Sequence, residues 1–531
     1  MPTFGLLTEP WIPVVGLDGA TAEVGLRQAL QQAPRLREIR DPIPTVEFGL
    51  YRLLVALVMD IHELKLLADL EELLAAGEFD DAKVEAYFAR WADRFDLFHS
   101  KHPFLQTAGL QGKEKPLAAL LPLVPSGTSA LHFHHQYEAS FSASPAAAAR
   151  LLSAMAPFMT SGGRTFSPSI NGAPPWYVLI SGSTLFETLC LNCCALPLSQ
   201  ARGSAPPAWR NDKPIAGSRA TQASLLEALT WRPRRIQLVP GDGGHCAVGG
   251  STASCLIRTM HFDPGASCDF TWADPNVAYR IADKVKPLRP REGHQLWRDT
   301  GPLALLRERD YEVERGRTKV RFERPALVTQ FAELVRQGIL TDRAELRLVA
   351  YAMRTDLKMK VFEWQREELS LPAALIWRSN FRSDAQRAME EAESVAHSLS
   401  RAVKMAYPRE GQGNKSAFEA RIASAERRFW TDLRPHYEEF LRGLAGLPED
   451  AQEPATEQCL ERWRAQLHQV GRQALDEAIG DLDTDADALV RQVNARSFFH
   501  RRLRGILSAD SAQDSVGQKS PTRRAKGGGK R

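Results

Sequence analysis

His132, His134 and His135 form an H-x-H-H group around Phe133, and Cys190, Cys193 and Cys194 form C-x-x-C-C. On a strand His132 and His134 share one face, as imidazole ligands of zinc often do, but two imidazoles rarely complete a site and the spacing places no third ligand. A metal site and a polar loop or interface patch both stay open there. The enzymatic reading is a metal-dependent nuclease or hydrolase using these histidines with acidic partners. The cysteines lie among Leu185, Phe186, Leu189, Leu191 and Leu196, so they read as small buried thiols in a helix rather than a redox or zinc motif. Gly244–Ser251 (GHCAVGGS) has the glycines of a phosphate loop without its lysine and reads as a turn. Neither H-E-x-x-H nor G-x-S-x-G occurs.

Other stretches combine open backbone with cations. Ser161, Gly162, Gly163 and Arg164 fit either a tight turn or a loop that approaches a base edge or phosphate closely. Between Trp231 and Arg291 nine Lys/Arg stand against five Asp/Glu, with Arg234, Arg235, Arg280, Lys284 and Lys286 among the cations. Arg354, Thr355, Asp356, Lys358 and Lys360 crowd a segment before Trp364, consistent with an exposed polar loop or a solvated helix face.

The elements that carry these residues fall into two textures. At 531 residues, with 44% hydrophobic and 25% charged side chains, the chain is built to fold into more than one core and is not a disordered or multi-span membrane protein. No run approaches the roughly 20 apolar residues of a membrane span, the N-terminus lacks a secretory pattern, and seven scattered cysteines suit a reducing cytoplasm. Residues 1–375 mix short strands such as Trp176–Ser181 and Arg234–Val239 with helices at Val46–Ala76 and Ala82–Phe98, which are expected to cover a sheet. From residue 382 to 507 strand signals vanish, and helices are expected at Asp384–Tyr407, Lys415–Leu444, Ala455–Ile479 and Asp485–Leu507. Pro408, Gly446 with Pro448, and Gly480 supply the breaks. The fold class is therefore α+β, a large mixed α/β N-terminal domain followed by a C-terminal four-helix bundle. Residues 509–531 read as a flexible basic tail. It carries six Lys/Arg against two Asp, which accounts for the whole net charge of +4 and leaves the body neutral.

Six segments, in order and approximate spacing, resemble the large subunit of the type I-E CRISPR surveillance complex Cascade, the CasA family. They are Phe4–Val14 (FGLLTEPWIPV), Trp91–Thr107 (WADRFDLFHSKHPFLQT), Gly182–Asn192 (GSTLFETLCLN), Trp231–Leu238 (WRPRRIQL), Asp274–Arg280 (DPNVAYR) and Leu296–Asp299 (LWRD). The E-P-W-I-P and H-P-F-x-Q-T pieces are the most specific, and the resemblance spans nearly the whole chain outside the tail.

The resemblance implies a non-catalytic, cytoplasmic subunit. Its role would be to read the protospacer-adjacent motif in duplex DNA, help start strand separation and R-loop formation, and recruit a separate helicase-nuclease. Its partners would be the crRNA-containing backbone, small and 5′-end subunits and target double-stranded DNA, with no membrane and no cofactor. By the same resemblance, Gly162, Gly163 and Arg164 match a glycine loop that reads the motif from the minor groove. Lys284 matches a motif-contacting lysine, with Asp283 and Lys286 as rival positions. Arg354, Thr355, Asp356, Leu357 and Lys358 match a strand-separating wedge, although the glutamine of some relatives is absent. His132, Phe133, His134 and His135 fall in a loop that reaches toward the guide and the complex. Some relatives bind zinc through paired cysteines, but here Ser142–Pro145 reads SASP and Cys246 has no C-x-x-C neighbour, so no zinc is expected. A purely structural scaffold is the remaining alternative.

Overall fold

Pro44–His62 is apolar on nearly every side, and a helix of that kind must be enclosed. Proline occupies its first turn, where the missing N–H has no intrahelical partner to lose. All of its residues but the last are buried. It stops where Glu63 turns left-handed (φ 51°), and a second helix, Leu67–Ala76, ends at Gly77 (φ 75°). The expected Val46–Ala76 helix is thus two helices, because Glu63 breaks the backbone where the hydrophobic pattern alone shows no stop. The next helix, Asp81–Trp91, ends in a 3-10 turn through Arg94, short of Phe98.

The computed structural model describes residues 2–120, 141–161, 165–198, 201, 203–212, 219–270, 272–305, 312–315, 318–340, 345–356, 361–407, 415–448, 451, 453–480, 482 and 485–508. The chain divides into two compact units, Met1–Trp377 and Arg378–Arg531.

In the first unit the Pro44–His62 helix packs against other helices and against two of several small, mostly antiparallel sheets. Glu345–Thr355 is the middle strand of a three-stranded sheet, flanked by Val361–Pro372 and Tyr177–Ser181. The helix reaches this sheet through a polar link: the Tyr351 hydroxyl and Arg366 Nε donate to buried Glu47 at 2.6 and 2.8 Å. On another side Gly49 lies so close to Ser153 that a Cβ there would meet backbone at 2.7 Å. That glycine lets the Pro145–Ser153 helix pack against it. A long hairpin, Arg234–His245 with Thr252–Pro264, forms a second sheet with Lys113–Pro116. Its turn contains Gly249 and Gly250, both left-handed, so the GHCAVGGS cluster is a hairpin turn. Cys190 lies in the Leu185–Asn192 helix, whereas Cys193 caps it and Cys194 follows. All three are buried with thiols pushed upward by burial.

Among the described residues the second unit is built from four helices, Ser379–Ala406, Lys415–Ala445, Glu453–Gly480 and Ala486–Leu507. Ala425, Phe429, Leu433, Phe440 and Leu444 of the second helix are buried as the periodicity implies, and Trp430, Tyr437 and Leu441 widen the stripe. The mixed α+β region and terminal bundle expected from the sequence are both present.

Candidate nucleic-acid interface

Asp274, the first residue of the DPNVAYR segment, organises the neighbourhood of two candidate contact elements. Its carboxylate is fully buried and accepts from Arg52 Nη2 at 2.7 Å and from Asn171 Nδ2 at 2.9 Å. Its own N–H donates to the Tyr279 hydroxyl at 2.7 Å. Burial pushes the carboxyl upward, but the Arg52 guanidinium and the surrounding donors outweigh it and hold Asp274 below its ordinary value. Asn171 belongs to the turn that follows the glycine segment, and Tyr279 opens the hairpin that presents Lys284. Asp274 therefore ties both to the central helix, its carboxylate holding Asn171 and Arg52 and its backbone N–H meeting Tyr279.

Gly162, Gly163 and Arg164 lie outside the described residues, but both flanks of that segment are fixed. Arg234 is buried, and its guanidinium donates to the Thr160 carbonyl at 2.6 Å and to the Ser167 carbonyl, one on each side of the glycines. It lies over the rings of Phe166 and Phe262, at 5.1 and 5.6 Å from their centroids. Burial with no neighbouring carboxylate lowers its pKa to about 10. Arg234 entered the sequence reading as one of the region's cations. The structure makes it a clamp at the base of the loop instead, a role that nothing in its spacing announces.

Lys284 sits at the tip of the hairpin formed by Tyr279–Ile281 and Val285–Pro287, where Asp283, Lys284, Val285 and Lys286 are all exposed. The strand leaving this tip hydrogen-bonds back toward the glycine segment, with the Trp176 N–H donating to Leu288 O at 2.9 Å. The Lys284 ammonium is therefore carried on a short rigid ribbon rather than a free loop.

Arg354 and Thr355 end the Glu345–Thr355 strand and Asp356 follows it, so the segment is one arm of a β-hairpin and not a helix face. Leu357 and Lys358 lie outside the described residues, as do His132, Phe133, His134 and His135. Arg354 Nε bonds Glu363 across the ladder at 2.8 Å, and its Nη1 meets Glu292 at 3.2 Å. Glu292 follows the Lys284 hairpin by only a few residues, so this surface ion pair links the end of the Glu345–Thr355 strand to the segment that leaves that hairpin. Phe362 has no cross-strand partner because the register shifts between Arg354 and Thr355. It is 55% exposed and stacks under Arg354 at 4.9 Å. Glu292 and Phe362 carried no sequence signal, since one depends on a distant partner and the other on a register shift.

Among the described residues no three His, Cys, Asp or Glu side chains gather as a metal cage, and no helix is long and apolar enough to cross a membrane.

The family model described as CRISPR-associated protein Cse1 matches residues 5–474. The chain belongs to this family. This Cse1-family chain is 30% identical over 416 residues to the CRISPR-associated protein CasA/Cse1 of Thermus thermophilus, covering 75% of this chain and 76% of that protein. Its fold matches the crystal structure of Thermobifida fusca Cse1 with a TM-score of 0.76 at 24% identity, over 95% of this chain and 98% of that one. It also matches a chain of a CRISPR RNA-guided surveillance complex with a TM-score of 0.71 at 20% identity, over 94% and 100% of the two chains. The resemblance carried by the E-P-W-I-P and H-P-F-x-Q-T segments is thus borne out, and the Cse1 fold accounts for the two-part architecture.

Proposed function

We propose that this chain is the DNA-reading large subunit of a crRNA-guided Cascade complex. It recognises a protospacer-adjacent motif in duplex DNA, helps open the strands and recruits a separate helicase-nuclease. Guide pairing then reads the target, so the protein needs only to recognise a short motif and hold the strands apart, the division of labour used by other RNA-guided effectors. It makes and breaks no covalent bond. The family match supports this reading, and the observation that carries it at the residue level is the Glu292–Arg354 ion pair. That pair brings the segment leaving the Lys284 hairpin against the proposed wedge at Arg354, Thr355 and Asp356. A glycine loop at Gly162 and Gly163 would admit a groove edge closely because it has no side-chain bulk, and Lys284 would supply a cation for the same duplex. A wedge replaces lost base stacking with protein contacts, at about a few kcal/mol per step. The loop holding His132, Phe133, His134 and His135 faces the guide and neighbouring subunits, where Phe133 stacks on a base or wedges into a subunit groove.

Gel shifts with motif variants, using complexes assembled with and without this chain, test the reading. Lys284→Glu or Gly163→Leu should weaken binding to motif-bearing duplex by about 1–3 kcal/mol per lost contact, with little change on motif-free duplex. Motif discrimination that persists in complexes lacking the chain would falsify the proposal. So would metal-dependent cleavage by the isolated chain that His134→Ala abolishes.

A further inference from the structure

The HPFLQT segment and Arg232, the first arginine of WRPRR, meet at one place. His102–Thr107 and Arg232 line a cleft of about 280 Å³ together with Arg94, Lys101 and Asp212. The walls are built into the fold: Gln106 donates to Leu97 O at 2.8 Å and accepts from Leu238 N, and the Thr107 N–H donates to Ile236 O at 2.8 Å.

The charges in this cleft do not cancel. Arg94 and Asp212 neutralise one another through paired hydrogen bonds. That leaves Lys101, which is exposed and has no carboxylate partner among the described residues, and Arg232. The one hydrogen bond found for the Arg232 guanidinium is a long one, from Nη1 to Gln106 O at 3.5 Å. Burial without an opposing charge lowers its pKa to about 10. Arg232 is only partly buried and lines the cleft, so a guanidinium there with no carboxylate beside it is free to take an anion. The planar fork of arginine beside a lysine point charge suits the oxygens of a phosphate. The Arg232 backbone is held as well, since its carbonyl accepts from the Ala266 N–H at 2.8 Å.

We infer that this cleft binds a backbone phosphate of a nucleic-acid strand, with Arg232 and Lys101 as its cationic ligands. The identity of the ligand rests on the proposed function, while the phosphate chemistry rests on the cleft alone. Arg232 stands two residues before the Arg234 clamp, so a strand held here is anchored on the same stretch of chain that fixes the base of the glycine segment.

The test uses the full chain and three probes: inorganic phosphate, duplex DNA with and without the motif, and single-stranded RNA of unrelated sequence. Fluorescence anisotropy across a salt series follows the nucleic acids, and calorimetry follows phosphate. Arg232→Gln is expected to weaken binding of at least one nucleic acid about tenfold and to lower the slope of log affinity against log salt by about one. A phosphate contact carries no sequence information, so motif-bearing and motif-free duplexes should lose equally. Lys101→Gln, on an exposed side chain that cannot compromise folding, should show the same pattern to a smaller degree. Unchanged affinity and slope for every probe in both variants would overturn the inference. Loss confined to inorganic phosphate would overturn the strand assignment, and so would loss confined to the motif-bearing duplex. Failure of the Lys284 motif test leaves these outcomes readable, because they do not depend on motif discrimination.

Discussion

Asp274 shows how one buried carboxylate stabilises a site it does not enter. Removing it strands Arg52, which is 2% exposed at the side chain, as an uncompensated charge. Asp274→Ala is expected to cost about 3–5 kcal/mol in denaturant unfolding. Asn171 and the Asn276 N–H lose a carboxylate partner in the same stroke, whereas the backbone N–H that meets Tyr279 is kept, so the variant should also bind DNA less well than its residual folded fraction implies. The Asp274 carboxyl lies below its ordinary 3.8 in the folded protein, so its contribution is complete above that pH and disappears as acid protonates it in the native state. His62 acts in a different window. Burial, reinforced by Lys83, lowers it from 6.5 to about 4. The unfolded chain therefore takes up a proton between those values that the folded chain refuses, and stability falls as pH drops from about 6.5 to about 4. Thermal melts at pH 7 and pH 4.5 should show a smaller pH-dependent loss in His62→Phe than in the parent.

The paired hairpins and the helical bundle place their demands at the level of elements. In the bundle Gly471 marks a close crossing: a Cβ there would lie 3.1 Å from Val395 Cγ1 and 3.3 Å from Phe499 Cζ. Gly471→Val should destabilise the bundle by about 1–3 kcal/mol through overpacking. Gly443 provides the contrast, since its added Cβ meets only Cys459 Sγ at 3.6 Å. Gly443→Ala should stabilise by about 0.5–1 kcal/mol, because alanine loses less backbone freedom in a helix. Thermal melts of the two variants against the parent read both signs. Two arginines of the bundle are committed to ion pairs between helices: Arg428 pairs with Glu477 at 2.7 Å and Arg496 with Asp476 at 2.8 Å. Across Asp384–Leu507 acidic residues outnumber basic ones, 21 to 18, but only the helix neighbours identify the partners.

At the scale of the whole molecule, the net charge of +4 resides in residues 509–531, and the cationic ligands of the proposed sites are few and local. Deleting the tail after Ser508 should therefore weaken binding to motif-free duplex and flatten its salt dependence, while the ratio between motif-bearing and motif-free affinity stays constant. Filter binding across a salt series separates the two effects. A drop in that ratio would mean that the tail contributes to recognition.

Local rules made the helices of the second unit legible. The 3.6-residue period and the Pro/Gly breaks act within a few residues, and the observed ends lie within a few positions of the expected ones. The same locality made the strand at Tyr177 and the start of the strand at Arg234 readable, and motif segments such as EPWIP and HPFLQT identified the family. Burial and charge pairing obey no such local rule. Whether Arg234 faces a phosphate or clamps two carbonyls depends on where Thr160 and Ser167 come to lie. Whether Arg354 stands alone depends on Glu292, more than sixty residues earlier in the chain. Sequence alone determined which elements form and which family the chain joins. The tertiary structure decided which cations stay available, because a charge is neutralised by whatever folds against it, and that neighbour is set by contacts distant in sequence.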